Sequence, residues 1–178
     1  MSKAYDRVEW PFIQDVLSKF GFPSPFSNLI MACVSSVSFS FNINGQVSSH
    51  VTPTRGLLQG DPISPYIFVM CAEVLSSMIR KYVMEGHIHG VKVCRGAPEI
   101  SHLFFADDNI FFTRSLVKES CRLKSIFTRY CQASGQGFAA ALAILITGAS
   151  QSRQHGKSEP SLFDVGSGRI SIVIVNTL

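Results

Sequence analysis

A mixed α+β fold is predicted for this chain by three observations. Two stretches near the start carry apolar residues at helical spacing, an Asn-Gly pair divides two alternating segments, and two aromatic runs later flank a pair of adjacent carboxylates. With 178 residues and 46% hydrophobic content, the chain has enough apolar side chain to bury a core of its own, so one domain or most of one is expected.

The elements follow in order. Pro11 fits the first turn of a helix in which Phe12, Ile13, Val16, Leu17 and Phe20 recur, closed by Gly21. Ser24 as N-cap and Pro25 as first residue predict a second helix to about Val34. Val37, Phe39, Phe41 and Ile43 then alternate with Ser38, Ser40 and Asn42, the period of a half-buried strand. Asn44-Gly45 turns the chain back, so a hairpin is expected over residues 37 to 52 with Gln46 to Val51 as its return strand.

Arg55-Gly56-Leu57-Leu58-Gln59-Gly60-Asp61-Pro62-Ile63-Ser64-Pro65 is a glycine-bearing loop running into a helix. Such a loop lets backbone N–H groups approach a phosphate or a base, although a plain strand-to-helix connection reads the same way. Ser64 is placed as N-cap and Pro65 as first residue of a helix through Met84, ended by Gly86. That segment is apolar nearly all round, as the central helix of a core would be. Val91 to Cys94 is a candidate short strand.

Leu103 to Phe112 reads as a tight hairpin with Asp107 and Asp108 at its tip. Two like charges a few ångströms apart disfavour each other's ionised form unless a cation sits between them. A divalent-metal site and a solvated acidic turn are both consistent with that stretch. Ser115 is expected to cap a helix to about Ala133, with Leu116, Cys121, Leu123, Ile126, Phe127 and Tyr130 inward, Lys118, Arg122, Lys124 and Arg129 outward, and Gly135 as the stop. Beyond Gly137 lie an alanine-rich apolar run (Phe138 to Ile146), a polar turn-rich stretch (Ser150 to Ser161), a turn at Gly166-Ser167-Gly168 and a last strand at Ile170 to Val175.

The net charge of +4 suits a polyanionic partner, and the cations crowd both sides of the acidic hairpin: Arg80, Lys81, Lys92, Arg95, Arg114, Lys118, Arg122, Lys124 and Arg129. Five cysteines without a C-x-x-C pair point to reduced thiols, and His87 and His89 have no third ligand spaced with them, which favours a loop over a zinc site. MSKAYDRVEW has no signal-peptide core, and no apolar run reaches the roughly 18 residues of a membrane span. An intracellular protein, cytoplasmic or nuclear, is expected.

Four blocks together resemble the reverse transcriptase domain of non-LTR (LINE-type) retrotransposons, most like those of plants. Ser2 to Trp10 looks like the first palm motif, Arg55 to Tyr66 like the R-G-x-R-Q-G-D-P-x-S-P-Y block, Phe105-Ala106-Asp107-Asp108 like the F-A-D-D block, and Tyr130 to Gln136 like the segment that follows. The resemblance implies a polymerase palm-like subdomain incomplete at both ends, with residues 1–137 a partial palm carrying part of the fingers and 138–178 a divergent tail. It implies RNA-directed DNA synthesis with two Mg²⁺ ions (Mn²⁺ as substitute) about 3.5–4 Å apart, held at Asp107 and Asp108. Tyr5 matches the family's gate against a ribose 2′-hydroxyl. Lys3, Arg55, Gln59 and Gly60 would face template and nucleotide, and Gly56, Asp61, Pro62, Ser64 and Pro65 would shape the loop. RNA template, DNA primer and deoxynucleoside triphosphates are the implied partners.

Departures from the family accompany the resemblance. The family's first motif reads D-M-S-K-A-Y-D, and its metal-binding aspartate precedes the residue aligned with Met1. Asp6, five residues after Met1, is the motif's second aspartate and is not assumed to replace it. Leu58 stands where the family usually has Arg, and the residues after Gly137 match nothing in the family, with no recognisable thumb. A truncated, catalytically impaired copy is therefore expected, with an unpaired sheet edge beside the hairpin and marginal folding. The other reading is a non-catalytic remnant that binds nucleic acid weakly through its basic segments.

Overall fold

The computed structural model describes residues 4–105, 108–137 and 170–176, the last segment and Asp108 by their backbone. A 3-10 turn at Tyr5–Arg7 leads into helices α1 (Trp10–Lys19) and α2 (Ser24–Ser35), the small hairpin β1 (Asn42–Ile43) and β2 (Gln46–Val47), and the long helix α3 (Ser64–Met84). Strands β3 (His102–Phe105) and β4 (Asp108–Arg114), helix α4 (Val117–Ser134) and strand β5 (Ile170–Asn176) complete an α+β fold. The predicted features at residues 138–169 lie outside the described residues. No helix among the described residues is long and apolar enough to cross a membrane.

Helix α3 holds the structure together, as its apolar sequence predicts. Its first half contributes Ile67, Phe68 and Cys71 to a core shared with Ala4, Val8, Ile13, Leu17 and Leu57. Its second half contributes Leu75 and Ile79 to another, shared with Ile88, Phe111, Leu123, Ile126, Phe127 and Tyr130. The Tyr130 hydroxyl donates to the Cys71 carbonyl oxygen at 3.1 Å across the α3–α4 seam, which leaves no buried hydroxyl unsatisfied at that point. Burial pushes the Cys71 thiol up to about 12 and raises Tyr130 above its ordinary value, so both are fixed as neutral packing groups.

The capping predictions need correction in detail. Helix α2 begins at Ser24 itself, with Pro23 in the cap position. Ile63 occupies the cap of α3, and Ser64, fully buried, has no partner for its hydroxyl. Asp61 does that work instead: its Oδ1 accepts from the Ile63 N–H at 3.2 Å and its carbonyl oxygen from the Ser64 N–H at 3.2 Å. Leu116, exposed, takes the cap predicted for Ser115, and Cys121 also faces outward. The buried Glu119, at the third position of α4, accepts from the backbone N–H of Arg114 (3.0 Å) and of His89 (3.1 Å) and contacts His89 Nδ1 at 2.8 Å. A glutamate at that position is a known helix-start signal, and here it also anchors the loop after α3.

The Asn44-Gly45 hairpin forms as expected, with both residues at positive φ (52° and 85°), the requirement of a type I′ turn. Its strands are not half-buried: Phe41, Ile43 and Val47 are exposed, and beyond Gln46–Val47 the return segment is joined by the Ser48 N–H donating to the Phe41 carbonyl oxygen and by a bridge between Phe39 and Val51. Turn chemistry shapes this hairpin, and its large apolar side chains stay exposed. Val91 likewise makes one bridge, to Ile100, in place of the predicted strand.

The sheet edge expected to stand unpaired is filled. β4 pairs antiparallel with β3 from Phe105↔Asp108 to His102↔Phe111, and on its other side with β5 along all seven residues, from Asp108↔Asn176 to Arg114↔Ile170. The Phe112 N–H donates to the Ser101 carbonyl oxygen on the β3 side, so by strand alternation the N–H groups of Asn109, Phe111 and Thr113 face β5. Val173→Pro removes a β5 donor opposite Phe111. Hydrogen exchange is expected to quicken at Asn109, Phe111 and Thr113 while Ile110 and Phe112 keep their protection. Unchanged rates at all five amides would sink that assignment.

His102 ties β3 to α3: its Nε2 lies 2.9 Å from Ser76 Oγ and its Nδ1 2.9 Å from Ser101 Oγ. Burial, then the nearby Arg80 guanidinium, lowers its pKa below 6.5, with Glu73 opposing. The unfolded chain therefore binds a proton in a range where the folded chain resists it. The stabilisation is complete above about pH 6.5 and is lost as pH falls from there toward the lowered value. Urea midpoints measured between pH 7.5 and 5.5 should decline, and His102→Gln should flatten that decline. An equal slope in both proteins would refute the assignment to His102.

Candidate active site

The segment Ala4–Glu9 lies between two other stretches that the sequence singled out. On one side, the Leu57 N–H donates to the Tyr5 carbonyl oxygen and the Gly56 N–H to that of Val8, both at 2.8 Å, while Trp10 Nε1 donates to the Gly56 carbonyl oxygen at 2.9 Å. On the other, the Glu9 N–H donates to the Ser134 carbonyl oxygen at 2.9 Å, and the buried Gln136 donates from Nε2 to the Ala4 carbonyl oxygen at 3.4 Å. Two glycines make this close approach possible. A Cβ on Gly56 would lie 2.8 Å from the Asp6 carbonyl oxygen, and one on Gly135 would lie 2.6 Å from that of Arg7; both residues also sit at positive φ.

Three of the four sequence blocks thus meet. Tyr5 stacks on Phe68 of α3, with ring centroids 4.5 Å apart and planes 10° apart, so its ring is fixed against the start of that helix. Arg55 Nη1 lies 3.3 Å from Glu9 Oε1 in an exposed ion pair, a contact worth little in stability that orients the guanidinium at the surface. Gln59 and Gly60 are exposed at the head of α3, Gly60 at φ +98° with open space around it. Pro62 and Pro65 are also exposed; Asp61 and Ser64 are turned to the helix start as described above.

The fourth block is the hairpin. The pairing of Phe105 with Asp108 leaves only residues 106 and 107 between β3 and β4, the two-residue connection of a tight hairpin. Asp107, like Lys3, lies outside the described residues, and Asp108 is placed by its backbone as the first residue of β4. Among the described residues no three His, Cys, Asp or Glu side chains converge to hold a metal ion. The hairpin is held from beneath by Phe111, whose ring centroid lies 5.7 Å from Phe104 and 4.8 Å from Phe127 of α4. Sequence reasoning did not anticipate Trp10, Glu119 or Gln136 as tethers; only Glu119, by its spacing from the helix start, carried a local signal.

Residues 1–138 match the family model described as reverse transcriptase (RNA-dependent DNA polymerase). The chain belongs to that family. It is 52% identical over 68 residues to an uncharacterized mitochondrial protein of Arabidopsis thaliana, an alignment covering 38% of this chain and 56% of that protein. It is 31% identical over 115 residues to the retrovirus-related Pol polyprotein from type-2 retrotransposable element R2DM of Drosophila melanogaster, and 29% identical over 115 residues to the corresponding polyprotein from a type-1 element R2 of Nasonia vitripennis. Each of these two alignments covers 65% of this chain and 10% of the polyprotein, so the chain spans about a tenth of those relatives. The resemblance to retrotransposon reverse transcriptases read from the motifs holds, and the chain carries a reverse transcriptase domain fragment.

Proposed function

We propose that residues 1–137 form a partial palm, with part of the fingers, of a right-hand polymerase that copies an RNA template from a DNA primer, and that 138–178 are a divergent tail. The convergence of the first motif, the Arg55–Tyr66 block and the Tyr130–Gln136 block around Ala4–Glu9 carries this reading. Those blocks are distant in sequence, yet the fold joins them through backbone bonds that fix Tyr5 and the head of α3 relative to each other. In the proposed complex Lys3, Tyr5, Arg55, Gln59 and Gly60 face template and nucleotide, while Gly56, Asp61, Pro62, Ser64 and Pro65 set the loop.

Asp107 and Asp108 would hold Mg²⁺, or Mn²⁺ in its place, and the ion would supply charge neutralisation for phosphoryl transfer. A short hairpin seated on Phe111 suits that task, since the Phe105–Asp108 pairing keeps the connection between β3 and β4 to two residues. Primer extension on poly-rA with oligo-dT, in Mg²⁺ and in Mn²⁺, tests the reading. The expected result is incorporation that Asp107→Ala/Asp108→Ala abolishes. Incorporation undiminished in that double variant would overturn the assignment of the acids. The second reading, non-catalytic nucleic-acid binding, is favoured if no incorporation occurs but salt-sensitive RNA binding persists.

A further inference from the structure

At the far end of α3 the seam between α3 and α4 opens into a cleft of about 420 Å³, lined among others by Lys81, Tyr82, Glu85, His87, Arg122 and Arg129. Its cations come from two helices, Lys81 on α3 and Arg122 with Arg129, two turns apart, on α4. Arg55 and Arg80, outside the cleft, pair with Glu9 and Glu73. Among the described residues no carboxylate lies in ion-pair range of Lys81, Arg122 or Arg129, and the one acid in the cleft, Glu85, has its Oε2 3.7 Å from His87 Nε2. Arg122 is held in place: its Nη1 donates to the His87 carbonyl oxygen at 2.8 Å, which leaves its other N–H groups for an acceptor in the cleft. The Tyr82 ring stands edge-on to His87, with centroids 5.9 Å apart, on the same wall.

Three permanent cations around a cleft that holds a single carboxylate, Glu85, leave an excess of positive charge there, and an anion among them offsets it. The volume suits a phosphate together with its sugar or base. We propose that this cleft binds a backbone phosphate of single-stranded nucleic acid, with Tyr82 offering an aromatic surface to the adjoining base. The inference rests on the nucleic-acid reading above and adds a second contact to it. At 1.5 Å per residue, Lys81 lies about 25 Å along α3 from Ser64, well away from the Gln59–Gly60 loop.

Binding of a fluorescent 12-nucleotide single-stranded RNA to the full chain, followed from 50 to 200 mM salt, tests it. Lys81→Gln/Arg129→Gln alters two exposed side chains that no core contact requires. It is expected to weaken binding about tenfold and to make the log–log salt slope shallower by up to about 0.7, the contribution of one neutralised phosphate on a single strand. Lys92→Gln/Arg95→Gln, with the same change of charge outside the cleft, is expected to shift affinity by less than twofold. Equal losses in the two variants, no loss in the first, or no RNA binding at 50 mM salt would each overturn the cleft. In a separate arm, inorganic phosphate is expected to move the amide signals of His87, Ile88 and Arg122; shifts confined to other residues count against it. Missing nucleotide incorporation with the difference between variants intact argues against the polymerase reading and leaves the cleft standing; incorporation with equal affinities does the reverse.

Discussion

Phe111→Ala is expected to lower the unfolding free energy by about 3–5 kcal/mol, the cost of emptying a fully enclosed aromatic site. Phe111 is 0% exposed and packs between Phe104 of the same hairpin and Phe127 of α4, so its loss removes the contact that seats β4 on the helix layer. Phe105, which follows Phe104 in the same aromatic run, is 82% exposed, and Phe105→Ala should change stability by less than about 0.5 kcal/mol. Urea denaturation of the two variants side by side measures the contrast. Similar losses in both would mean that the hairpin is not anchored through Phe111.

Gly56→Ala should be a strongly damaging small change near the candidate site. Its φ of +91° alone costs about 1–3 kcal/mol for a residue with a Cβ. The added methyl would also press on the Asp6 backbone, 2.8 Å from its carbonyl oxygen, and part the Tyr5–Val8 segment from the loop. Gly60→Ala is the control, because φ is +98° there but nothing lies within 4 Å of the added atom. The expected outcome is a larger loss of stability for Gly56→Ala than for Gly60→Ala, with faster amide exchange at Gly56 and Leu57 only in the former. Matching losses would show that backbone strain alone, and no contact with the first motif, explains the effect.

Helices α1 and α3 and the Asn44-Gly45 turn are legible in the amino-acid sequence, because periodicity, proline placement and turn chemistry all act within a few residues. The acidic hairpin is legible for the same reason: two aromatic runs with a two-residue gap leave little choice of pairing. The caps are less so. Ser64 and Ser115 carry the right side chains, but Asp61 and Glu119 supply charged acceptors to the backbone N–H groups of Ile63 and Arg114 just before the two helices, and a serine pattern cannot register that competition.

By itself the sequence determined the class of fold, the order of the elements and the four blocks that resemble a reverse transcriptase. Only the tertiary structure decided what meets what. It brought Ala4–Glu9 between Gly56 and Gln136, laid β5 along the whole of β4, and gathered Lys81, Arg122 and Arg129 around one cleft. The physical reason is the range of the forces involved: helix periodicity and turn preference are written in neighbouring residues, whereas strand partners and clefts are chosen by burial and backbone hydrogen bonding between segments that the sequence keeps far apart.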